Sequence, residues 1–447
     1  MSARHAAGQP QSGGPRGAAV CPTFTVNSIA DVQAAAPVYS GVCQTALSND
    51  TCTLRAAIEK ANNYPGGGVT IILPALPGGA EYALTINQLT NVHNMTITGG
   101  GAANTIIDGS GITPTNRVLV IATPAIATIS GVTIQGGNAG GGDGGGIHID
   151  GSSALTLHDS VVTSNTAQYG GGIFNDGAAL TVTDSIVSFN TAVVGVGINF
   201  ENGGVMTLRR VTVTGNTASA GGGIGNQSVG LLDIVDSTIS GNMANDGGGI
   251  YNDGPSLAVI NSTISGNFSD GNGGGILNNT NGTISLYNAT IVGNIANEAL
   301  VGSTGGGIFN NGSTVRLQNT LLDGNIRNTD VQDAPDDCSG TVTSLSYNLF
   351  STTAGCTISG GTNDVTDMPG LTGPLQNNGG PTFTNALLPG SPAIDGGNPG
   401  GCNDELGSPL TTDQRGYPRP ANGAGSNICD IGAFELQRML DLPLVLR

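Results

Sequence analysis

Residues able to do acid–base or metal chemistry are scarce in this chain of 447 residues. The run GGGIHIDGSSALTLHDS places His148, Asp150 and His158 close together. His148 and Asp150 alternate with Ile147 and Ile149, so an extended strand sends both to one side. An imidazole beside a carboxylate can exchange protons near neutral pH or hold a metal. His158 falls on another face of the same unit, and unrelated surface residues are the simpler reading. Arg209 and Arg210 are adjacent, with Glu201 expected to pair with one of them. Elimination from an acidic sugar needs a base that reaches an α-proton and a cation that holds the enolate. A salt-bridged surface is the reading preferred for Arg210. Asp336 and Asp337 precede Cys338 and are candidates for a carboxylate pair or a Ca²⁺ site, against a loop pinned by a disulfide. No catalytic, cofactor-binding or metal set is assigned beyond these candidates.

The elements that would position them repeat. Isoleucines after a glycine run stand at 147, 173, 198, 224, 250, 276 and 308, at steps of 25 or 26 until a last step of 32. Asn165, Asn190, Asn216, Asn242, Asn267, Asn294 and Asn325 close the same units. Between them, LTVTD-like segments alternate with period two, as in Leu180 and Val182 against Thr181 and Thr183. Each unit reads as three short strands and three turns, stacked in parallel on the next unit. The predicted fold is all-β, a single-stranded parallel β-helix of roughly ten or eleven coils. The glycines then serve corners that recur at one place in every coil, and the asparagines form a hydrogen-bonded ladder along the stack. Asp159, Asp184, Asp236, Asn261, Asn288 and Asn319 mark a second corner, interrupted by Arg210.

The ends differ from the middle. In CTLRAAIEKAN, Leu54, Ala57, Ile58 and Ala61 form one helical face, a short amphipathic helix suited to cover the first coil. The boundaries read as a disordered segment 1–23, an N-terminal cap 24–68, coils 69–325, an irregular C-terminal cap 326–436 and a tail 437–447. Cysteines cluster at the two ends; local pairs Cys43–Cys52, Cys338–Cys356 and Cys402–Cys429 are the economical expectation for an oxidising compartment, leaving Cys21 over, while sequence alone does not fix the connectivity.

Three resemblances follow from particular residues. CTLRAAIEKAN, with Cys43 upstream, resembles the CSLREA-type module at the N-terminus of bacterial surface β-helix proteins, with Thr53 for its Ser and Ala56 for its Glu. GPLQNNGGPTFTNALLPGSPAIDGG, TTDQRGYPRP and ICDIGAFEL, over about residues 371–436, are similar to the choice-of-anchor Q region that closes many such proteins. Units such as SGNMANDGGGIYN resemble the repeats of chlamydial polymorphic outer-membrane proteins. These resemblances imply a right-handed helix and an exported bacterial protein, extracellular or at the cell surface. No signal peptide is visible in the polar first residues.

Charge narrows the partners. Asp and Glu number 31 against 13 Lys and Arg, for a net charge of −18, which disfavours nucleic acid and anionic membranes. No run is long enough for a transmembrane helix. The acidity is compatible with Ca²⁺, although no cofactor is expected. Pectin hydrolases would require a Gly-His-Gly and an Arg-x-Lys that are missing here, and Lys60, the only lysine, lies in the cap helix. The first reading is therefore a monomeric adhesin that binds a polysaccharide or another surface ligand. The alternatives are a polysaccharide lyase or glycoside hydrolase on the same helix, or a purely structural surface protein. An outward threonine-rich array at Thr212/Thr214, Thr238/Ser240 and Thr263/Ser265 would suit ice binding, but Val161, Ile186 and Leu321 break it.

Overall fold

The computed structural model describes residues 22–36, 42–46, 49–65, 68–112, 116–297, 304–328, 333–421 and 428–437. Cys21, nearly all of segment 1–23 and nearly all of the tail lie outside these residues. The chain winds as a parallel β-helix whose coils each contribute to three sheets. One coil illustrates them: Ile250–Asn252 lies in the first sheet, Leu257–Ile260 in the second and Thr263–Ser265 in the third. The third sheet alone stacks twelve strands. A fourth, shorter ladder, not foreseen from the repeat, begins at Met243–Ala244 and runs through Phe268–Ser269 to Ile295–Asn297 and Ile326–Asn328.

Register follows the hydrophobic period. Val162, Val187, Val213, Ile239, Ile264, Ile291 and Leu322 are successive partners in the third sheet. All seven are at most 1% exposed. Each such side chain contributes about 1.5–3 kcal/mol on burial, so a one-residue slip, which turns the column outward, is strongly disfavoured. The asparagine ladder is equally regular. Asn190 Nδ2 donates to Asn216 Oδ1 at 3.0 Å and to the Val162 carbonyl at 3.1 Å, and Asn165 N donates to Asn190 Oδ1 at 3.1 Å. The same bonds join Asn216 to Asn242, Asn242 to Asn267, Asn267 to Asn294 and Asn294 to Asn325. A buried amide is tolerated because its donors and acceptor are all paired.

The cap helix α1 (Leu54–Asn62) starts where Thr53 accepts from the Ala56 amide. Arg55, in the CTLR run, is buried and ties the cap down, with Nε on Asp31 Oδ1 at 2.5 Å and Nη1 on Asn87 Oδ1 at 2.6 Å. Thr23–Thr25 also joins the stack, pairing with Thr70–Ile72. The disulfides Cys43–Cys52, Cys338–Cys356 and Cys402–Cys429 are formed, which suits an oxidising compartment. Among the described residues no helix is long and apolar enough to cross a membrane.

The C-terminal part departs from the expected end cap. Strand pairing does not stop at 325: Cys338–Ser344, Leu349–Phe350, Cys356–Gly360 and Val365–Thr366 continue the stack. Residues 370–421 and 428–436 then turn back and lie as a strap along the outer face of the third sheet. Val292, Leu321 and Leu349 look outward from that sheet and pack with Leu387, Ala393, Ile431 and Phe434 of the strap. Thr238 and Thr263, expected to face water, are fully buried for the same reason. Thr238 Oγ1 donates to the Phe383 carbonyl and Thr263 Oγ1 to Gln414 Oε1, both at 2.6 Å.

Candidate functional site

The strap stops short of the upper coils, and where it stops a groove opens. Its floor is the third sheet at Val161, Ile186, Thr212 and Thr214, and its far wall is Pro381 and Phe383 of the strap. The cavity holds about 540 Å³. Phe189 lines it at a corner with φ of +52°, where an L-residue is strained. The equivalent corner is Gly215, Gly241, Gly266, Gly293 and Gly324 in the coils that follow, all at positive φ. Phe189 is nonetheless 66% exposed, its ring lying over Gly215, and Phe383 is 50% exposed. An apolar ring held in a left-handed corner and left in water is stable neither by conformation nor by burial. The sequence carried a trace of this groove in Val161 and Ile186, which interrupt the outward hydroxyl column. Phe189 itself went unnoticed because its strain depends on a backbone angle.

Arg210 borders the same groove. Its Nε and Nη2 grip Asp184 Oδ1 and Oδ2, each at 2.6 Å, and the guanidinium holds Asp184 below the usual carboxylate range. Arg209 Nη2 lies 2.9 Å from Asp236 Oδ2. Both arginines are thus in salt bridges, but with these aspartates rather than with Glu201, which accepts instead from Asn199 at 2.7 Å. The reason is stacking: Asp184 and Asp236 occupy the same left-handed corner as Arg210 in the coils on either side.

His148 and Asp150 meet on the first sheet, with Nε2 to Oδ1 at 3.0 Å. The imidazole stacks on Phe174, ring centroids 5.2 Å apart. Burial, aided by the Arg117 charge, pushes His148 below the usual imidazole value despite Asp150. The neutral ring is the form that can accept a proton. Beside it lies a second hollow, of about 450 Å³, lined by Asp143, Tyr169, Phe174, Glu201, Asn202 and Gln227. His158 stands apart on the second sheet, 3.0 Å from Asp159.

Asp336 and Asp337 are directed into the protein. Asp337 Oδ1 accepts from Asn325 Nδ2 at 2.8 Å, which ends the asparagine ladder, and Oδ2 accepts from Ser351 Oγ and the Thr352 amide. Asp336 Oδ2 accepts from the Gly305 amide at 2.9 Å. Burial pushes both carboxyls up. Among the described residues no group of three or more His, Cys, Asp or Glu is placed to hold a metal ion.

No family model matches this chain, and no curated protein matches it. Among solved structures, pectate lyase Pel9A superposes with a TM-score of 0.49 at 13% identity, over 93% of this chain and 97% of that one. A mannuronic acid specific polysaccharide family 6 lyase from human gut microbiota superposes with a TM-score of 0.24 at 11% identity, over 67% of this chain and 86% of that one.

Proposed function

We propose that this protein is an exported polysaccharide-binding β-helix, with the glycan seated in the groove between the upper third sheet and the strap. The observation that carries the reading is Phe189, exposed in a strained corner on a groove whose opposite wall bears Phe383. Flat apolar rings take up the apolar face of a pyranose, and the Thr212, Thr214, Ser188 and Ser240 hydroxyls can meet its hydroxyl groups. A parallel helix supplies such groups at a repeat of roughly 4.8 Å, which suits a polymer lying along the stack.

A second reading, a polysaccharide-cleaving enzyme, is favoured by the neutral His148 beside Asp150 and the Tyr169–Glu201 hollow. One experiment separates the two. Retention on immobilised polysaccharides and release of reducing ends or unsaturated products are followed together for the wild type, Phe189→Gly and His148→Ala. Retention lost in Phe189→Gly, without product, supports binding in the groove. Turnover lost in His148→Ala moves the function to the first sheet. Retention unchanged in Phe189→Gly removes the groove from the function.

A further inference from the structure

The groove also has a charge character, and this bears on which polysaccharides it takes. Resting on the groove reading above, we infer that its ligand is an uncharged polysaccharide, not a polyuronate. Among the described residues only two charged side chains line the cavity, Asp184 and Arg210, and they are spent on each other through two bonds of 2.6 Å. Every other lining side chain is apolar or a hydroxyl. Charges in the neighbouring coils are likewise matched, Arg209 with Asp236 at 2.9 Å and Asp159 with His158 at 3.0 Å. A polymer with one carboxylate per sugar would meet no unspent cation there, on a chain whose net charge is −18. Desolvating those carboxylates without a partner is costly, whereas a neutral pyranose brings only hydroxyls that Thr and Ser can pair. Phe189 and Phe383 add apolar faces that reward an uncharged ring and offer a carboxylate nothing.

The inference makes the Asp184–Arg210 pair a specificity device. Among the described residues Arg210 is the one cation on the groove, and Asp184 cancels it. Asp184→Asn keeps a residue that tolerates the left-handed corner, where φ is +48°, and removes only the charge. Arg210 would then be free for an anionic sugar.

The test uses affinity electrophoresis of the full chain at low and at physiological salt. The gels contain galactomannan, xyloglucan, arabinoxylan or mixed-linkage glucan on one side, and polygalacturonate, alginate or hyaluronan on the other. The expected result is retention by at least one uncharged polymer, at least tenfold tighter than by any polyanion, insensitive to salt and lost in Phe189→Gly. Asp184→Asn should gain at least tenfold in polyanion retention at low salt, and lose that gain when salt is added. Wild-type preference for a polyanion, abolished by Phe189→Gly, would overturn the inference while leaving the groove as the site. So would an Asp184→Asn variant that is folded by circular dichroism and gains nothing. Retention by none of the polymers would bring down the groove reading, and the inference with it.

Discussion

The third sheet has two halves built from the same strand and treated differently by the rest of the chain. In the upper coils Val161, Ile186 and Thr212 look out into the groove; in the lower coils Thr238, Thr263, Thr290 and Leu321 look out into the strap. The neighbouring corner records the difference in its residue types. Above, it carries charge, at Asp159, Asp184 and Arg210; at the edge of the strap it carries Asp236, buried and bonded by Asn261 and Arg209; below, it carries Asn261, Asn288 and Asn319. These three amides donate to strap carbonyls, at Thr412, Asn403 and Asp430. A corner that meets water can hold an ionised group, whereas one covered by another segment needs a neutral group with its hydrogen bonds filled. One solenoid thus becomes open groove or docking surface according to what folds back on it.

Charged and amide side chains of TTDQRGYPRP and ICDIGAFEL dock the strap. Arg419 is fully enclosed, with Nε on Glu435 Oε2 at 3.1 Å, Nη1 on Asn261 Oδ1 at 2.9 Å and Nη2 on the Asp430 and Gly432 carbonyls. Arg415 grips Asp413 at 2.6 Å and lies 3.6 Å over the Phe434 ring. Gln414 reaches Thr238, Thr263 and Thr382 at once.

The comparison breaks most severely at Arg419. Arg419→Ala leaves Glu435 buried without its cation, so it should cost about 3–5 kcal/mol. The strap should release first, with faster hydrogen exchange at the Ala433 and Leu436 amides and exposure of Thr238 and Thr263. Unchanged exchange at those amides would mean that apolar packing alone holds the strap.

Next in size is a pH effect confined to the strap. Burial, with the Glu435 carboxylate adding to it, pushes Asp430 up to about 6; the Leu436 and Asp395 amides and Arg419 pull the other way. The folded strap therefore holds this proton more tightly than the unfolded chain, whose carboxyl sits near 3.8. This contribution is fully present below about pH 4, is lost as pH rises through 6, and amounts to an order of 2–3 kcal/mol. The strap's opening free energy, taken from exchange rates divided by the intrinsic rate at each pH, should fall from pH 4 to pH 8 in the wild type and stay flat in Asp430→Asn. The groove corner at Asp184 should not follow this profile, because Asp184, held low by Arg210, loses its contribution as pH falls instead.

A smaller effect tests the two halves directly. Thr238→Asp puts a carboxylate under the strap and should cost about 1–3 kcal/mol, while Thr212→Asp in the groove should stay within about 0.5 kcal/mol. Thermal unfolding of both variants gives the difference, and equal shifts would place the edge of the strap wrongly. Smallest of all, Phe189→Gly relieves a left-handed aromatic residue but frees the unfolded chain, and should move stability by no more than about 1 kcal/mol. Binding in the groove should nevertheless be lost.

The sequence determined the helix. Isoleucines and asparagines recurring at nearly constant spacing require an inward column and a satisfied ladder, and both follow from local alternation repeated coil after coil. The cap helix was legible for the same reason, and the three cysteine pairs are the local ones that economy favoured, although only the structure settled them. His148 beside Asp150 was also legible, since two residues apart on a strand share a face. The site was a different matter. Arg210 finds Asp184 across a coil, and Phe383 reaches the third sheet across 145 residues through Thr238. Whether an outward threonine meets water or a buried carbonyl is not written in its own strand. Only the tertiary structure decided it, because burial is set by where the chain returns, and the period of a repeat says nothing about a segment that lies outside it.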